Sequence, residues 1–193
     1  MTTEEKLVAA AAALLDSGGE EAVTLRAVAQ ATGVSHNAPY KHFKNRDALL
    51  AAVAIADFVE MATALKKVRL SSAKPTTKLT RALKVVTGYS VKHPARYQLL
   101  FSDPKIAAQE GGLKRTALGT FSEIDAIVQE CQATEDLPSV PHVTLTGLMI
   151  ATLHGLISLE ASGRMKPEKG LTGVMPGLEL LVRLLTPTSK SSG

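Results

Sequence analysis

Tryptophan is absent from this 193-residue chain, and aromatic residues of every kind make up only 4% of it. No stretch alternates β-branched with polar residues, so strands have no sequence support, and the apolar spacing is helical almost throughout. The expected class is therefore all-α. A single cysteine, Cys131, excludes an internal disulfide and fits a reducing compartment. In its helical context it reads as a packed thiol rather than a nucleophile. Long uninterrupted apolar runs are missing too. Leu7–Leu15 is preceded by Glu4 and Glu5, where a secretory signal would carry basic residues. Leu145–Leu159 is interrupted by Thr, Gly, His and Ser and is shorter than the roughly 20 residues of a membrane span. These features predict a soluble, cytoplasmic protein. Glycine-rich phosphate loops and recognisable Ser or Cys nucleophile motifs are also lacking, and the five histidines do not fall at i, i+4 ligand spacing. No enzyme activity, metal or cofactor is expected.

One further absence is local. Between Ala22 and Arg46 there is no acid at all, while Arg26, Lys41, Lys44 and Arg46 are cationic. Within this stretch, Val28 and Ala31 are spaced for one apolar face. Gly33 stands where a tight turn between helices needs φ > 0. Val34 reads as a buried plug, and Ser35 as an N-cap. After Ser35 come His36, Asn37, Tyr40, Lys41, His42, Lys44 and Arg46, nearly all hydrogen-bond donors. A short helix with a donor-rich face and no acids nearby suits a polyanion with readable edges. That is a helix-turn-helix in the major groove of DNA.

The remaining periodicity predicts nine helices. The first runs from Thr3 to about Ser17, stopped by Gly18-Gly19, and the second opens at Thr24 as N-cap. The third spans Ser35 to about Phe43, and the fourth, capped by Asn45, spans Arg46 to about Leu70. A fifth reaches His93, and a short sixth covers Ala95–Phe101. A loop follows over 103–112. The seventh helix is expected from Leu113 to Gln132, the eighth at Val143–Ala161 and the ninth at about Leu171–Leu185. The eighth is apolar almost all round, which predicts burial on several sides. Residues 66–115 hold twelve of the 22 Lys and Arg and two acids, Asp103 and Glu110. That excess reads either as a solvated face or as a positive surface for an anionic ligand or DNA phosphates.

T-L-R-A-V-A (24–29), T-G-V-S (32–35) and Y-K-H-F-K-N-R-D-A-L-L (40–50) resemble the TetR family of bacterial transcriptional regulators. G-Y-S-V-K-H-P-A-R-Y-Q-L-L-F (88–101) and L-H-G-L (153–156) resemble a subgroup named for a Trp-His-Gly motif, with Leu153 in place of the Trp. Asn37-Ala38-Pro39 departs from the commonest Gly-Thr-Leu pattern ahead of the tyrosine. The resemblance implies a three-helix DNA-binding domain at 1–47, and a helical ligand-binding and dimerisation domain at 48–187. A disordered tail is expected at 188–193. It further implies a homodimer through the helices at 143–161 and 171–185, and an unknown small-molecule effector that releases a repressor from double-stranded, palindromic DNA.

The candidate DNA contacts are Thr24, Arg26, Ser35, His36, Asn37, Ala38, Tyr40, Lys41, His42 and Arg46. His36 and Asn37 lead the expected recognition helix and are placed for base edges; Ala38 is placed for a thymine methyl. Tyr40, Lys41, His42 and Arg46 suit phosphates, which position without specifying. Thr24 and the free N–H groups behind it suit a phosphate as well. Tyr89, His93, Tyr97, Phe101, Phe121 and His154 are candidates to line a ligand cavity, though packing explains them equally well. The competing function is a small-molecule or partner-binding helical module that no longer reads specific DNA.

Overall fold

The chain's first helix begins at Thr3 and is capped by Thr2. The Thr2 hydroxyl accepts from the Glu5 N–H while the Glu5 carboxylate accepts from the Thr2 N–H, a reciprocal cap. The computed structural model describes residues 1–186, and the tail expected at 188–193 lies outside them. The described residues form nine α-helices and no strand: α1 Thr3–Ala22, α2 Leu25–Thr32, α3 Arg46–Arg69, α4 Pro75–Lys92, α5 Pro94–Ser102, α6 Pro104–Ala107, α7 Gly112–Ala133, α8 His142–Ala161 and α9 Val174–Leu185. Two 3₁₀ turns, Pro39–Lys41 and Pro167–Lys169, stand between them.

The expected number of helices is met with a different membership. The segment 35–43 is not an α-helix, and the loop expected over 103–112 contains α6. Asp103 explains the latter. Its carboxylate accepts from the Lys105 N–H at 2.7 Å, and Pro104 occupies the first helical position, where a missing N–H costs nothing. At the end of α1, Gly19 takes φ 69° and ψ −172°, so the backbone breaks there and resumes one short turn to Ala22.

Contacts divide the chain into two compact units, each assembled from separate stretches. The first comprises Met1–Glu60 and Tyr89–Leu118. Its core includes Leu7, Ala11 and Leu15 of α1, Val28 of α2, Phe43, Leu49, Leu50 and Val53 at the start of α3, and Tyr97 and Leu100 of α5. Leu25, Val28 and Ala29 pack α2 down, as expected, while Ala31, expected on the same apolar face as Val28, is exposed. Val34 is only half-buried.

The second unit comprises Met61–Gly88 and residues from Gly119 on, with Leu65, Leu79, Leu83, Ile127, Met149, Leu153 and Leu178 almost fully enclosed. At Gly177 of α9 a Cβ would sit 3.1 Å from Leu156 Cδ1 of α8, so the glycine permits the close approach of the two helices. Cys131 is buried, and burial together with Asp136 and Glu130 pushes its thiol pKa up to about 12, as a packed thiol requires.

A buried carboxylate ties α7 to the start of α8. Asp125 accepts from Thr146 Oγ1 at 2.8 Å, from Gln129 Nε2 at 2.8 Å and from His142 Nδ1 at 2.8 Å. Burial opposes its ionisation, but the hydrogen bonds from His142, Thr146 and Gln129 prevail and its pKa lies below the usual value. Because the folded pKa is depressed, this contribution to stability is full above the unfolded value of about 3.9 and lost as pH falls through the folded one. Asp125→Asn should cost about 1.5–3 kcal/mol in urea unfolding at pH 7, with the difference from the parent chain narrowing at about pH 3.

By length and composition two helices, α3 and α8, could cross a membrane. Each is half or less buried over its apolar window, at 50% and 33%. On α8 the exposed positions Thr144, Leu148, Ala151, Gly155, Ser158 and Leu159 form a stripe at spacings of three and four. The eighth helix is thus apolar all round, as expected, but one side of it is open in the single chain.

Candidate nucleic-acid interface

The first unit begins with α1, α2, a turn, an irregular segment and α3. Thr24 opens α2 as expected, its hydroxyl accepting from the Ala27 N–H at 3.0 Å. Gly33 closes α2 at φ 67°, ψ 20°. The Val34 N–H reaches the Ala29 carbonyl at 3.1 Å and the Gly33 N–H the Gln30 carbonyl at 3.2 Å, which is the paired C-terminal closure that needs a left-handed residue.

The expected recognition helix is where structure and sequence reading part. Residues 36–38 form a turn and Pro39–Lys41 a 3₁₀ turn. Pro39 has no N–H to give the Ser35 carbonyl, so that carbonyl accepts from Ala38 at 2.9 Å instead. Lys41 and His42 likewise bond three residues back, to Ala38 and Pro39 at 3.1 and 3.0 Å, and only Phe43 reaches four back, to Pro39 at 2.8 Å. Ser35 therefore closes the segment through its carbonyl and does not serve as the N-cap of a regular helix. Buried Pro39 and Phe43 hold the inner side.

The outer side presents Ser35, His36, Asn37, Tyr40, Lys41, His42 and Lys44, all exposed, with Ala38 half-buried. Arg26 and Gln30 of α2 are exposed as well. The His36 and Tyr40 rings meet edge to face with centroids 6.5 Å apart. His42 Nδ1 lies 3.7 Å from Glu4 Oε2. Asn45 caps α3 as expected, its Oδ1 accepting from the Ala48 N–H at 2.9 Å.

Arg46, a candidate phosphate contact, makes three bonds within the protein. Its Nε donates to the Val23 carbonyl at 2.7 Å, one terminal nitrogen pairs with the Glu20 carboxylate at 3.0 Å, and the other donates to the Glu20 carbonyl. The guanidinium thus satisfies the frayed end of α1 and pins it to the start of α3.

Of the candidate ligand residues, four lie together in the first unit. Tyr89 and His93 have ring centroids 5.4 Å apart, Tyr97 and Phe101 4.8 Å, and Phe101 meets Phe58 at 5.6 Å. Phe121 and His154 belong to the second unit, both half-buried. Burial lowers the His154 pKa, which keeps its imidazole neutral near pH 7. Burial raises the pKa of the Tyr97 phenol, and burial with the Asp57 charge raises that of Tyr89. The Tyr89 hydroxyl is enclosed without a hydrogen-bond partner among the described residues.

Beside these rings lies a charged group that no motif in the sequence announces. Asp57 of α3, 1% exposed, accepts from both Nε and Nη2 of Arg96, with Nε at 3.0 Å from Oδ2. Arg96 Nη1 lies 3.3 Å from Asp16 Oδ2 of α1, and His93 Nδ1 lies 2.8 Å from the same oxygen. Burial alone would lower the Arg96 pKa, but bonding to Asp57 raises it overall. One signal was available. Asp57 falls in the buried stripe Leu50, Ala54, Met61, Leu65, and an acid there requires a partner.

No group of three or more His, Cys, Asp or Glu side chains among the described residues is arranged to hold a metal ion.

Comparison with known proteins bears on the whole arrangement. Residues 7–53 match the family model of bacterial regulatory proteins of the tetR family, and residues 79–174 match that of the tetracyclin repressor-like C-terminal domain. No curated protein matches the chain. Among solved structures, a protein of unknown function from Rhodococcus sp. RHA1 is similar at 24% identity and a TM-score of 0.81, over 97% of each chain. The TetR family transcriptional regulator PfmR from Thermus thermophilus is similar at 17% identity and a TM-score of 0.66, over 94% of this chain and 97% of that one. The transcriptional regulator FadR from Bacillus subtilis, solved in complex with stearoyl-CoA, is similar at 14% identity and a TM-score of 0.68, over 94% and 97%. At such identities these three likenesses are of fold alone. The two family models, which together span the helix-turn-helix and most of the helical remainder, carry the conclusion: the chain belongs to the TetR family of transcriptional regulators, with a DNA-binding N-terminal domain.

Proposed function

We propose that the protein is a cytoplasmic homodimeric repressor that reads a palindromic operator and is released by a small molecule. The observation that carries this reading is the segment 35–45. Its outer side is exposed and donor-rich, and it lies in a stretch without an acid between Ala22 and Arg46. His36 and Asn37 face base edges and Ala38 a thymine methyl. Tyr40, Lys41 and His42 hold phosphates, as do Arg26 and the Thr24 end of α2. Arg46 supports them by fixing α1 to α3. Residues 1–47 contact DNA, and residues 48–187 hold the effector and pair the subunits.

Pairing is supported by the open stripe of α8 and by Leu180 and Leu184 of α9, which are 42% and 73% exposed in one chain. An effector site is supported by the rings of Tyr89, His93, Tyr97 and Phe101 within the first unit; Phe121 and His154 are separate candidates in the second. Release requires that the effector bind the non-DNA-binding conformer more tightly than the other.

Selection of bound duplexes from a random pool tests the reading. The expected enrichment is a near-palindrome whose half-sites lie about 10 base pairs apart or a multiple of that. An unpaired half-site, or an enrichment without symmetry, would count against the dimeric reader. A second reading, a helical module that no longer recognises specific DNA, is favoured by one observation, the irregular backbone over 36–41. It predicts no enriched sequence at all.

A further inference from the structure

We infer that Arg96 is a positioning residue for DNA binding, acting on the recognition segment through Asp16, Glu20 and Arg46. Arg96 sits on α5, and its side chain is 11% exposed. All three of its nitrogens are engaged: two on the buried Asp57 of α3 and the third on Asp16 of α1. A planar fork fixed on two carboxylates sets direction as well as distance, which a lysine in the same place would not do.

Asp16 lies three residues ahead of the backbone break at Gly19, and Glu20 follows that break. Glu20 is in turn gripped twice by Arg46, which also holds the Val23 carbonyl. Two arginine clamps therefore grip the same short stretch from opposite sides of the break. Arg46 is the first residue of α3, directly after the exposed segment 35–45. The break would otherwise leave the last turn of α1 free to pivot; the clamps remove that freedom. A buried ionic tie suits this task, because its value lies in a defined geometry more than in net stability. Neither Arg96 nor Asp16 is among the residues proposed to touch DNA.

The inference rests on the specific DNA reading proposed above, and its test has a readout that does not. Asp16→Asn leaves the buried Asp57–Arg96 pair in place, so the chain should melt within a few degrees of the parent. Its affinity for the selected operator should nevertheless fall by about tenfold, and adding Asp16→Asn to Arg96→Gln should produce only the small further loss that the Asp16–His93 contact carries, because the two otherwise act through one contact. Arg96→Lys should keep the melting temperature and recover only part of the affinity. Hydrogen exchange read over 20–23 and 35–45 should quicken in Asp16→Asn with or without DNA. Parent-like operator affinity in Asp16→Asn, or independent multiplying losses in the double variant, would overturn the inference. So would unchanged exchange in those segments. A parent chain without any preferred duplex would fail the DNA reading alone, leaving the exchange result to decide this one.

Discussion

A chain carrying Leu148→Asp and Leu184→Asp is expected to run as a monomer and to lose operator binding. In the isolated chain these side chains are 63% and 73% exposed, far more than leucines of that size ordinarily are on helices that also carry the core. Leu148 belongs to the open stripe of α8, whose small members Ala151 and Gly155 would let another helix approach closely. Four such leucines per dimer, each worth about 1.5–3 kcal/mol when fully buried, would supply about 6–12 kcal/mol. A nanomolar dimer needs about 12 kcal/mol, so their loss alone removes half or more of the association, and buried aspartates would add a desolvation cost. With only one recognition segment per particle, operator affinity should drop about 10³-fold or more, toward the non-specific level. Sedimentation equilibrium and a binding titration check both parts. Leu70→Asp, at a similarly exposed leucine off the stripe, should leave the dimer intact. A double variant that remains dimeric would place the interface elsewhere.

The second expectation separates reading from gripping. Asn37→Ala should cost about 1–3 kcal/mol against the best operator and much less against its point variants, so preference at one base pair collapses. Lys41→Ala should weaken every duplex alike. It should also lower the slope of log affinity against log salt by about 0.9, the signature of one lost phosphate contact. Both residues are exposed and neither supports the core, so melting temperatures should not move. Titrations at three salt concentrations with matched and single-mismatch duplexes distinguish the two. A change at Asn37 that affected all duplexes equally would demote it to a phosphate contact. Arg46→Ala should behave unlike either, because its donors hold the end of α1: it should lower the melting temperature as well as the affinity.

Much of the fold was legible because its strongest signals are local. The apolar period of α3 and the side-chain cap at Asn45 define that helix nearly to the residue, and Gly33 marks the turn that closes α2 by the one conformation other residues avoid. The failures have local causes too, but causes that compete. Pro39 is tolerated early in a helix, and its φ suits one. Only the rerouting of the Ser35 carbonyl to Ala38 shows that the segment settles into 3₁₀ geometry instead. Asp103-Pro104 reads as a break or as a cap followed by a first helical residue, and the structure takes the second course.

The candidate site was legible in composition and less so in employment. Exposure of His36, Asn37 and Lys41 follows from their polarity beside an apolar inner side. Nothing local says that Arg46 reaches back to Glu20, 26 residues earlier, or that Asp57 and Arg96 meet across 39 residues. Those are tertiary contacts, and an unpartnered acid in a buried stripe is the only trace they leave in the sequence.

The most direct test of the central claim is the ratio of affinities for the selected operator and for a scrambled duplex of the same length, both at about 0.15 M salt. Specific reading by the segment 35–45 predicts a ratio of about 10³ or more, falling sharply in Asn37→Ala. A ratio near one, unchanged by Asn37→Ala, would contradict it and leave the helix-turn-helix as scaffold.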